Sequence, residues 1–100
     1  MGESITPTER QQLVHRHRMR IRTIAVSFAA AVASAHRDMD LGPAERDALI
    51  ETWRAWSIEV LERYGREIDE LRGTADAATS EELDGLHSTV AAAIERVRQA

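Results

Sequence analysis

The stretch 7–39, "PTERQQLVHRHRMRIRTIAVSFAAAVASAHRDM", decides the fold. Within it Val14, His17, Ile21, Ile24, Phe28, Ala31 and Ala35 recur at alternating steps of three and four. That spacing puts them on one face of an α-helix. No Gly or Pro breaks the run before Gly42-Pro43. Thr6-Pro7-Thr8-Glu9 supplies the start, with a hydroxyl at the N-cap, Pro at the first helical position and Glu at the third. The pattern predicts a helix over about 7–39, roughly 50 Å long.

Outward from that helix, the chain restarts at Gly42-Pro43-Ala44-Glu45. Ile50, Trp53, Ser57, Leu61 (or Val60), Tyr64, Ile68 and Leu71 form a second stripe, widened by Leu49 and Trp56. Gly73 after Arg72 reads as a C-terminal stop, giving a helix over about 43–72 with Gly65 inside it as a site for a close contact or a bend. "GTADAAT" reads as a linker, and Thr79-Ser80-Glu81-Glu82 as a capping box. Leu83, Leu86, Val90, Ala93 (or Ile94) and Val97 then predict a third helix over about 80–99. Alternating β-branched runs and Asn-Gly turns are absent, so no strand is expected.

These elements predict a single all-α domain over 1–100. Its frame is a long antiparallel hairpin, because a short connection makes antiparallel neighbours, with a shorter third helix against it. The core is small: sixteen residues are Ala, only Phe28, Trp53, Trp56 and Tyr64 are aromatic, and no cysteine offers a disulfide or thiolate metal site. A third helix of roughly 30 Å does not cover a hairpin of about 50 Å. Completion by dimerisation, or by docking into a larger complex, is therefore expected.

Charge is divided unevenly. Residues 1–37 hold six Arg and two Glu, net +4, while residues 38–100 hold seven Arg and fifteen acids, net −8. Every base is Arg and none is Lys, a bias that fits a GC-rich bacterial genome. Arg16, Arg18, Arg20 and Arg22 are the candidate nucleic-acid contacts. On a helix they bracket the seam, Arg16 and Arg20 on one flank and Arg18 and Arg22 on the other. No aromatic lies among them for base stacking. Folding about residues 41–42 sets them level with Glu59, Glu62, Glu67, Asp69 and Glu70. Pairing with those acids is the expected arrangement, with phosphate contact as the alternative.

Residues 19–35 imitate a secretion signal: a basic start, an apolar stretch, then Ala33-Ser34-Ala35. The helical seam crosses Met19 unbroken, so a cytoplasmic chain is expected instead. About thirteen apolar residues are too few for a span that needs about 20.

No phosphate loop, nucleophile elbow or HExxH is present. His15 and His17 fall on opposite faces of a helix, a poor chelate. His36 and Asp40 have metal-ligand spacing at a helix end, and His87 has no evident partner. Neither catalytic nor metal-binding nor cofactor-binding residues are assigned, and no cofactor is expected. Trp53 and Trp56, three apart, are the sharpest interaction feature; with Phe28 and Tyr64 they are the expected partner-interface residues. The expectation is a non-catalytic protein–protein interaction module: an accessory, regulatory or assembly subunit binding itself or a larger complex. A small nucleic-acid-associated protein is the alternative. A helical enzyme with its site at a dimer interface is the third reading.

Overall fold

The computed structural model describes residues 5–100 as three helices, α1 (Pro7–Arg37), α2 (Pro43–Thr74) and α3 (Ala77–Gln99). They run up, down and up. The Ile5 N–H donates to Asp76 at 3.3 Å, tying the start of α1 to the start of α3, while Arg20 on α1 meets Glu67 on α2 at 3.0 Å. Thr6 caps α1 through a bond from the Glu9 N–H at 3.1 Å, and Pro7 follows it. Pro43 opens α2 after Gly42, which has no side chain to cap with.

The seams close a core of Val14, Ile21, Ile24 and Phe28 on α1, Ile50, Val60, Leu61 and Ile68 on α2, and Leu83, Leu86, Val90, Ala93 and Val97 on α3. Three-and-four spacing thus becomes one apolar ridge per helix, and the three ridges meet along the long axis. Gly65 is buried where α2 meets α3. A Cβ built there lies 3.5 Å from Val90 Cγ1, an ordinary contact, so the packing at that point does not require glycine.

Three helix ends differ from expectation. α1 stops at Arg37, not near 39, because the Asp38 carboxylate accepts the Asp40 N–H at 3.0 Å and turns the chain out of the helix. α2 runs through Gly73 to Thr74. Glycine ends helices by adopting a left-handed conformation, and no described glycine has positive φ. The linker shrinks to Ala75 and Asp76, both extended, and α3 begins at Ala77 instead of near 80. Its cap is Asp76, which accepts the Thr79 N–H at 2.8 Å. That bond, with the one from Ile5, holds the Asp76 carboxyl below its ordinary pKa. Thr79, a cap in the sequence reading, is 3% exposed and belongs to the core.

α3 has 23 residues, about 34 Å of helix, in a molecule 56 Å long. The hairpin tip therefore has two helices where the lower bundle has three. Arg54 marks the step. Its Nε donates to the Val97 carbonyl at 3.2 Å, and its guanidinium also reaches the Ala100 carbonyl and Glu51. The same group lies 5.8 Å from the centre of the Phe28 ring. One α2 side chain thus satisfies carbonyls that the end of α3 leaves without helical partners, and supplies the positive charge that a C-terminus favours.

Candidate partner-docking surfaces

The four arginines of α1 meet different fates. Arg20 pairs with Glu67 at 3.0 Å and lies over the Tyr64 ring, 4.1 Å from its centre. Arg16, Arg18 and Arg22 are exposed, and none makes an ion pair among the described residues. The expected ladder of pairs is a single pair, because only the flank facing α2 points at its acids and only Arg20 comes level with one.

His17 sits beside that pair, 6% exposed on the core face. Burial, with the positive charges of Arg20 and Arg16, lowers its pKa against the opposing pull of Glu67. A base with a lowered folded pKa binds its proton first in the unfolded state, so stability rises with pH across the interval below about 6.5. His17→Leu removes this component and keeps the position apolar. Urea midpoints at pH 7.5 and pH 5 are expected to show the variant gaining on the natural chain as pH falls. An equal gap at both pH values overturns the account.

Arg18 and Arg22 lie on the other flank, against α3. There the two helices form an open groove of about 640 Å³. Its floor is Ile21, Ala25, Val26, Ala92 and Ala93; Arg18, Arg22 and Arg96 stand along it with Ser88 and Thr89. No carboxylate lines it. Val26 is 57% exposed. It belongs to residues 23–35, which carry no charge on any face of α1.

The four aromatic candidates separate. Phe28 is buried at 3% exposure, and Trp53 and Tyr64 are half-buried against the core. Trp56 alone is open, at 56%. The two tryptophans share a helix but not an environment: Trp53 packs against the core, and Trp56 faces outward.

Of the histidines, His15 is exposed while His17 is buried. α1 ends at Arg37, so His36 and Asp40 no longer share a helical face. Among the described residues no three His, Cys, Asp or Glu side chains gather as a metal site. His87, without a partner in the sequence reading, lies 3.4 Å from Asp69, next to the Arg72–Asp84 pair at 2.6 Å. This polar seam between α2 and α3 had no local signal, since its members come from different helices. No described helix is long and apolar enough to cross a membrane. The chain matches no protein-family model, no curated protein and no solved structure.

Proposed function

We propose that the chain is a non-catalytic protein–protein interaction module, an accessory or assembly subunit whose α1–α3 groove receives a segment of another polypeptide. The observation that carries this reading is Val26, 57% exposed in a helical stretch without charge on any side. A large apolar side chain this open, on a stretch whose outward residues are otherwise small or hydroxylic and never charged, marks a surface suited to a partner. The apolar floor beside Val26 extends the patch onto α3.

A photo-crosslinking residue placed at Val26 in the host cell tests the reading. A protein adduct is expected there and not from the same residue at Arg66, an exposed position on α2. Equal labelling at both positions, or none at Val26, sinks the proposal. Arg18, Arg22 and Arg96, exposed around a groove that no carboxylate lines, favour a second reading, contact with nucleic acid. A nuclease-sensitive adduct at Val26 would establish that reading in its place.

A further inference from the structure

We infer that the occupant of the α1–α3 groove is an acidic amphipathic helix of a different protein. Its apolar stripe lies on Ile21, Val26 and Ala93, and its carboxylates face Arg18, Arg22 and Arg96. The inference rests on the docking reading above and names the partner's chemistry.

α1 and α3 run parallel, and the groove between them is lined by Arg18, Arg22 and Val26 from α1 and by Ser88, Thr89, Ala92 and Arg96 from α3. Arg96 stands on the α3 wall, across the groove from Arg18 and Arg22 on α1. Arg18 and Arg22, one turn and about 6 Å apart on α1, and Arg96 on α3 bring three guanidinium groups to one groove. Each is exposed, and none is paired with a carboxylate among the described residues. A helix carrying Asp or Glu every fourth position presents the matching row. Its apolar stripe meets the floor in the helix-in-groove mode. The floor supplies burial, and the rim supplies orientation and partner choice.

Charge also excludes the other occupants. Two copies related by a two-fold axis through this groove would set arginine against arginine, a repulsive pairing. The chain's own outward acids lie outside the groove, on α2 (Glu59, Glu70) and on other faces of α3 (Glu81, Glu82, Glu95). Using them would join copies head to tail, in rings or open filaments, and not as a two-fold dimer. Nucleic acid gains nothing from an apolar floor, finds no aromatic there to stack on, and meets a chain of net charge −4.

The experiment is selection of the full-length chain against a displayed library of helical peptides. The library has a fixed leucine stripe, with flanking positions randomised among Glu, Gln and Lys. Recovered sequences are expected to be enriched in Glu at a four-residue repeat. A synthesised winner is expected to bind about tenfold more weakly to R22E/R96E, while R63E, on the exposed α2 surface, leaves binding unchanged. Circular dichroism checks that both variants keep their helices. Enrichment without bias toward Glu overturns the inference and leaves the docking reading standing. No enrichment beyond that obtained with Val26→Asp overturns both. Saturable binding of a random-sequence DNA duplex with a steep salt slope, lost in R22E/R96E, overturns both in favour of phosphate recognition.

Discussion

Truncating Phe28 to alanine is expected to cost about 3–5 kcal/mol of unfolding free energy, the range for a buried aromatic removed from a core. Phe28 is 3% exposed and sits where the third helix ends. The Arg54 guanidinium lies over its ring and leaves little for the surroundings to collapse into. A domain of this size has only about 5–15 kcal/mol in total, so the variant should melt much earlier and unfold at much lower urea. Trp56→Ala is the companion measurement. Trp56 is 56% exposed, and an exposed position of this kind changes stability by about 0.5 kcal/mol or less. Urea denaturation of both variants, read by helix content, checks the pair. Similar losses from the two would mean that Phe28 is not a core residue in solution.

The second large effect lies at Leu61, fully buried at 0% exposure on α2 between its two neighbours. Leu61→Ala removes side-chain volume from the section where all three helices meet. It is expected to destabilise the chain by about 2–5 kcal/mol, which lowers Tm by roughly 10 °C or more in a domain of this length. Leu71 is chemically the same residue on the same helix but is 37% exposed near its end. Leu71→Ala should therefore cost clearly less. Thermal melts of the two variants decide the matter, and equal shifts in Tm would contradict the burial difference on which the fold rests.

Both predictions turn on a distinction that the linear pattern left open. Phe28, Trp53, Trp56 and Tyr64 read alike as large residues on or near a seam. The helices then crossed so that Phe28 went inside, Trp53 and Tyr64 came to lie at the edge, and Trp56 stayed out. One helical step of 100° separates neighbouring positions, and a stripe widened to take in Trp56 does not say which edge the neighbour covers.

The sequence by itself determined the helices, their order and the hairpin. Steps of three and four residues fix a face whatever lies opposite, and the seams from Val14 to Ala35, half-buried Ala31 apart, and from Leu83 to Val97 are buried as that spacing requires. Thr6-Pro7 fixed the start of α1 because a cap acts over a single turn. Only the tertiary structure decided the start of α3, the pairing of the arginines and the groove. Asp76 and Thr79 both have capping chemistry, and burial of Thr79 against the other helices chose between them. Arg16 and Arg20 share a flank, yet only Arg20 comes level with a carboxylate. Arg96 comes from the far end of the chain to share a groove with Arg18 and Arg22. Alignments of that kind are set by how helices pack side by side, and no local spacing of residues encodes them.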